Sequence, residues 1–315
     1  MRVLNPYIAI ARPDHWIKNV FVLPGVIIAY FFYPGLWQDH HLPGILAGLL
    51  AVCLVASSNY VLNEILDAER DRHHPVKKAR PIASGEVNVR IAWAEWIVLG
   101  AVGIGLGWWL FPKLGYSCLA LWIMGTLYNI PPIRLKDLPY ADVLSESINN
   151  PLRMAAGWAC SGLDSFPPLS ILMAYWMFGA FLMATKRFAE YRAINDPARA
   201  ARYRNSFAYY NDERLMVSIL FYAALFAMFA AVFMTRYRFE LILATPLVAL
   251  SMAYYLHLSY SPNSPAQYPE RLYREPWLMT IVGLAFAACG ALLFVDFPAF
   301  EALFVPEHTP AARES

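Results

Sequence analysis

The chain has 315 residues, of which 59% are hydrophobic and only 15% charged, with a mean hydropathy of +0.41 and a net charge of +2. An ordinary soluble domain breaks its apolar residues into amphipathic stripes, whereas here nearly uncharged runs of roughly 18 to 25 residues recur end to end. That excludes a typical soluble enzyme, and no nucleic-acid partner is expected.

In chain order the first apolar run follows Arg2, Arg12 and Lys18; no small-residue cleavage site closes it, so it is expected to stay as the first span. Nine spans are predicted, near 17–37, 43–66, 91–111, 115–130, 141–160, 168–190, 212–235, 239–259 and 276–296. The fourth is short. The fifth carries Asp142, Glu146, Asn149, Asn150 and Arg153, polar groups that at membrane depth should face a protein-lined cavity. Of the 25 Lys and Arg, twenty fall in the N-terminus and the loops after spans two, four, six and eight. The positive-inside rule then places those segments in the cytosol and the C-terminus outside. No linker divides the chain, so residues 1–315 are expected to form one all-α, polytopic membrane helical bundle with its site at the cytosolic helix ends. Cys53, Cys118, Cys160 and Cys289 lie in apolar runs and read as small buried hydrophobes.

Span two ends in NEILDAERDRHHPVKKARPIASG, which sets Asn63, Asp67 and Asp71 at steps of four on one helix face. Two carboxylates so spaced repel unless a cation lies between them, and hard oxygen ligands suit Mg²⁺ bridged to substrate phosphates. The alternative is a solvated helix end whose aspartates pair with Arg70, Arg72 and the lysines beyond. Arg72, Lys77, Lys78 and Arg80 follow directly, a cation set suited to phosphates or to anionic lipid headgroups. Zinc at His73 and His74 is disfavoured, because no cysteine or i, i+4 histidine accompanies them. GIGLG at Gly103 to Gly107 reads as helix packing, since no strand precedes it. YNIPPIRLKD presents Arg134 and Lys136 after span four, and span five's polar residues form a stripe at steps of three and four. Span six ends in KRFAEYRAIND, followed by Arg199, Arg202 and Arg204, an echo of span two; the two ends would share one site if they meet in space.

NEILDAERD with its basic RPIASG loop, and YNIPPIRLKD, resemble the signatures of the UbiA superfamily of intramembrane prenyltransferases. RPDHWIKNVFVLPG, ATKRFAEYRA and SPAQYPERLYREPWL are similar to its decaprenyl-phosphate phosphoribosyltransferase branch. The resemblance implies a Mg²⁺-dependent, plasma-membrane transferase acting on a polyprenyl lipid and a diphosphate-bearing donor. Asn63, Asp67 and Asp71 would hold the metal, with Lys136 and Lys186 also catalytic. Lys18, Arg72, Lys77, Lys78, Arg80, Tyr128, Arg134, Asp142, Arg153 and Glu190 would join Asn63 in contacting substrate. Prenyl-donating relatives usually carry a second aspartate pair after span six, where this chain has Lys186 and Glu190; Glu64 also stands where the branch commonly has Asp. Phosphoribosyl transfer to a polyprenyl phosphate is therefore expected first, and prenyl transfer to an aromatic, quinone-type or glycerol-phosphate acceptor second. A lipid or ion transporter is the rival from another class, disfavoured because the polar groups gather at helix ends rather than at the midplane.

Overall fold

A computed structural model of the protein describes residues 5–37, 42–72, 77–261 and 264–297, and every regular element among them is helical. The α-helices and the longest 3₁₀ segment are, in order, α1 (Pro6–Ala11), the 3₁₀ segment (Pro13–Val22), α2 (Leu23–Phe32), α3 (Leu42–Arg72), α4 (Pro81–Ser84), α5 (Val89–Leu110), α6 (Pro112–Asn129), α7 (Ala141–Ser147), α8 (Asn149–Ala159), α9 (Leu169–Ile194), α10 (Pro197–Tyr203), α11 (Asp212–Tyr237), α12 (Thr245–Leu258) and α13 (Pro276–Phe294). Among the described residues seven segments are long and apolar enough to cross a membrane, and the chain is an integral membrane protein. Seven of the nine expected spans have a counterpart among these segments, and the other two are the expected fourth and fifth. The expected fourth is the 18-residue α6, and the expected fifth is two helices, α7 and α8, broken at Ile148. Pro151 has no N–H to offer the carbonyl of Ser147, which is the physical reason for the break.

The helix ends follow local chemistry. Asn88 Oδ1 accepts from Arg90 N at 2.9 Å to start α5, and Asp196 Oδ1 accepts from Ala198 N and Arg199 N at 2.8 and 3.1 Å to start α10. Gly85, at φ 86°, closes α4 in the left-handed conformation that glycine adopts without strain. Two cores result. Val52, Val55, Leu114, Leu121 and Ala156 join α3, α5, α6 and α8, while Phe181, Phe188, Leu215, Ile219 and Tyr255 join α9, α11 and α12.

Small residues let backbones touch, as membrane helices require in the absence of a hydrophobic drive between them. Gly103, inside GIGLG, lies against Ala51 and Val55 of α3, so that stretch is helix packing. At the α2–α8 crossing the approach is closer: a Cβ on Gly25 would stand 1.9 Å from Met154 O, and one on Gly157 would stand 2.0 Å from Val22 O. Gly25→Ala and Gly157→Ala are each expected to destabilise the protein by about 2 kcal/mol or more, since backbone cannot yield as a side chain can. Thermal unfolding in detergent checks this; a melting temperature equal to that of the unsubstituted protein would contradict the packing.

Candidate active site

Four connections meet at one end of the bundle: those after α3, α6, α9 and α12. The Lys77 ammonium lies 5.6 Å from the centre of the Tyr203 ring, Asn205 Nδ2 donates to Asp137 Oδ2 at 3.1 Å, and Arg192 lies 5.3 Å from the Tyr260 ring. The two polar helix ends anticipated from sequence thus converge, because Lys77 feels Asp67 and Asp71 of α3 and Glu190 of α9 together.

Around Asp67 the arrangement is tight. Its Oδ1 accepts from Arg134 Nη2 and Lys136 Nζ, both at 2.7 Å, and its Oδ2 from Lys136 Nζ at 2.9 Å. Lys136 also donates to Asn129 Oδ1 at 2.9 Å, and that oxygen accepts from Asn63 Nδ2 at 2.6 Å. Asp71, buried, takes Arg80 Nη1 at 2.5 Å. Arg134 is held in place by Asp137, 3.0 Å from its Nε. Glu64 accepts from Ile82 N at 3.1 Å, so its role is to fasten the start of α4, and with it Arg80, back onto α3.

A second constellation centres on Arg187, which is 2% exposed. Its Nε donates to Asp142 Oδ2 at 3.2 Å, its Nη2 to Glu146 Oε2 at 2.9 Å and its Nη1 to Glu190 Oε2 at 3.0 Å. Tyr128 OH donates to Glu146 Oε2 at 3.0 Å and accepts from Arg204 Nη2 at 3.0 Å. Asp142 is fully enclosed, its two oxygens meeting Arg187, Arg204, Ser206 and Tyr210, so its part in any site is to fix those groups. Arg187, Arg204 and Glu146 are absent from the set expected to contact substrate. Lys186 lies 4.0 Å from Glu190 Oε1, a looser pair than the one made by its neighbour.

The remaining expected residues are spread more widely. Arg72 pairs with Glu69 at 2.7 Å on the exposed side of α3, and Lys78 is exposed. Lys18 sits half-buried on the N-terminal 3₁₀ segment, and Arg153 of α8 donates to Asn19 Oδ1 at 3.0 Å rather than to a carboxylate of either constellation. His73 and His74 lie outside the described residues.

Electrostatically the end is a cationic basin set with carboxylates. Burial pulls the Lys136 ammonium down to about 8, partly opposed by the Asp67 carboxylate beside it, and burial with the nearby Arg80 lowers Lys77 as well. A divalent cation of the Mg²⁺ type needs hard oxygen donors. No group of three His, Cys, Asp or Glu suited to a metal occurs among the described residues. Mg²⁺, however, keeps waters and binds through one or two carboxylates plus substrate phosphates. Asp67 and Asp71 supply that pair one helical turn apart, and the cations that now engage them are the partners a phosphate would take over. The residues fit a metal completed by substrate.

A family model described as the UbiA prenyltransferase family matches residues 21–274. The decaprenyl-phosphate phosphoribosyltransferase of Mycobacterium tuberculosis is 29% identical over 193 residues, covering 61% of this chain and 62% of that protein. That of Corynebacterium glutamicum is 29% identical over 184 residues, 57% of this chain and 52% of that one. The chain thus spans between about half and six-tenths of the length of these relatives. Among solved structures, a UbiA homolog from Archaeoglobus fulgidus bound to GPP and Mg²⁺ superposes with a TM-score of 0.69 at 23% identity, over 92% of this chain and all of that one. That likeness shows the fold.

Proposed function

The chain belongs to the UbiA prenyltransferase family, and from that premise we propose that it transfers a 5-phosphoribosyl group from phosphoribosyl pyrophosphate to a polyprenyl phosphate, at the cytosolic face of the plasma membrane. One observation carries the choice of donor. Where prenyl-donating relatives place a second aspartate pair, this chain has Lys186 and Glu190, and Glu190 is engaged by Arg187 at 3.0 Å. That helix end therefore offers cations and an occupied carboxylate, suited to phosphate and hydroxyl groups rather than to a second dication. The naming of two relatives as decaprenyl-phosphate phosphoribosyltransferases supports the same reading.

In this reading Asp67 and Asp71, with Asn63, would hold Mg²⁺, and the metal would supply charge neutralisation to a diphosphate leaving group. Lys77, Arg80, Arg134 and Lys136, gathered at one helix end by the two aspartates, take up phosphate oxygens and stabilise the charge that develops there. Arg187 and Arg204 keep Glu146, Glu190 and Tyr128 in fixed positions beside the donor. Apolar walls of the bundle carry the lipid chain, which accounts for a membrane scaffold around a polar reaction.

Lys136 gives this reading a pH signature. Below about 8 it is a cation, and as pH rises through that value it loses its charge and its hold on phosphate. The ratio kcat/KM for the donor, which reports the free enzyme, is expected to fall about tenfold per pH unit above about 8. In Lys136→Arg the fall should move out of the accessible range, because the guanidinium stays charged. An unchanged profile in that variant would remove Lys136 from donor binding.

The transfer itself is tested by supplying purified protein with labelled phosphoribosyl pyrophosphate and polyprenyl phosphate, and separately with a polyprenyl diphosphate and aromatic acids. Labelled phosphoribosyl lipid is expected in the first mixture. Product in the second mixture alone would establish prenyl transfer instead.

A further inference from the structure

A charge stands without a counter-charge deeper in the bundle. Arg153 lies on α8, and its one hydrogen bond among the described residues runs from Nε to Asn19 Oδ1 at 3.0 Å, with no carboxylate in ion-pair contact. Asn19 is fully buried and its amide donates to Cys53 Sγ at 3.1 Å, which turns its oxygen toward Arg153. Tyr60, Tyr175, Cys53 and Glu146 lie around the guanidinium. Of these, the Tyr175 hydroxyl is buried with no hydrogen-bond partner. Glu146 keeps 36% of its side-chain surface accessible although Arg187 and Tyr128 both bond to it, so it faces an internal space. A lone guanidinium and an orphaned hydroxyl at membrane depth are both costly unless something polar and anionic meets them.

The register of α3 places this pocket relative to the aspartates. Cys53, Tyr60 and Asp67 follow at steps of seven, two turns each, which returns to within about 20° of the same face and advances about 10 Å per step. One stripe of α3 therefore leads from the Asp67–Asp71 pair down to the surroundings of Arg153. Two cationic zones about 10 Å or more apart on one stripe match two phosphorylated substrates with a reacting carbon between them.

We propose that Arg153, with the Tyr60 and Tyr175 hydroxyls, binds the phosphomonoester head of the polyprenyl acceptor and presents it to the donor from the side opposite the aspartate pair. This rests on the transfer reading above. An ionised acceptor oxygen forms a bond to ribose C1 as the bond from C1 to the pyrophosphate oxygen breaks, and that electron pair leaves with pyrophosphate. Because the acceptor enters already ionised, no protein base is consumed.

The test is direct binding of farnesyl phosphate, farnesol, inorganic phosphate and, with Mg²⁺, phosphoribosyl pyrophosphate to the full chain in detergent. Arg153→Gln is expected to weaken farnesyl phosphate by about tenfold or more while leaving farnesol and phosphoribosyl pyrophosphate unchanged. Tyr175→Phe should weaken farnesyl phosphate severalfold without lowering the melting temperature, since it removes a hydroxyl that has no partner; a packing role would do the reverse. Should Arg153→Gln not purify folded, Tyr175→Phe and Arg153→Lys decide. Wild-type farnesyl phosphate affinity in the variants overturns the proposal. Inorganic phosphate bound as tightly as farnesyl phosphate overturns the lipid-headgroup assignment. Arg153-dependent binding in a protein that forms no phosphoribosyl lipid would keep the pocket and overturn the transfer reading.

Discussion

Asp67→Asn is expected to lower kcat/KM for phosphoribosyl pyrophosphate by about 10²–10³-fold and to abolish the Mg²⁺ dependence of donor binding. The direction follows from what surrounds this carboxylate. It faces two cations, Arg134 and Lys136, at 2.7 Å each, on the same helix face as Asp71. Removing its charge takes away half of the carboxylate pair and leaves those cations unbalanced. Donor binding measured without metal should therefore strengthen in Asp67→Asn while binding with metal weakens. A general loss of folding would weaken both, so the opposite signs identify the role. Full metal-dependent activity in the variant would place the metal elsewhere.

Arg187→Met is expected to cost about 3–5 kcal/mol of stability, the largest single effect outside the donor site, because it leaves buried carboxylates with no compensating charge. Asp142, Glu146 and Glu190 all converge on this guanidinium, and Asp142 is wholly enclosed. Arg187→Lys should recover only part of the loss, since an ammonium cannot present three donors in a planar fork to three carboxylates. Chaotrope or thermal unfolding in detergent measures both variants. A midpoint for Arg187→Met within about 0.5 kcal/mol of the parent protein would show that these carboxylates are held otherwise.

The comparison of these two residues shows what one sequence makes legible. Asp67 and Asp71 stand out because a four-residue step on an apolar helix is a local pattern, and their basic neighbours follow within one loop. Arg187 has no such signature: Lys186 precedes it and pairs by sequence spacing with Glu190, yet about 100° of helical rotation separates the two cations. Only the folded position of α7, which brings Asp142 and Glu146 alongside α9, shows which one is enclosed. The contacts of Arg134 and Lys136 with Asp67 span 67 and 69 residues, and no periodicity reports a separation of that kind. The interruption between α7 and α8 is different, for its signal was present: Pro151 lies two residues after Asn149 and removes one backbone donor from the expected fifth span.

The bond from Ile82 N to Glu64 Oε1 has a consequence for affinity. It fastens two points 18 residues apart, making a hoop from the last turns of α3 and the segment that carries Lys77 and Arg80. Closing such a hoop reduces chain freedom once, during folding. An arriving diphosphate then meets Arg80 already anchored, and little of the electrostatic gain is offset by ordering of the chain. A carboxylate one methylene shorter at position 64 would withdraw by about 1.5 Å, beyond hydrogen-bond reach of Ile82. The longer acid in this motif serves as a clasp, setting how strongly an otherwise unchanged set of cations can grip.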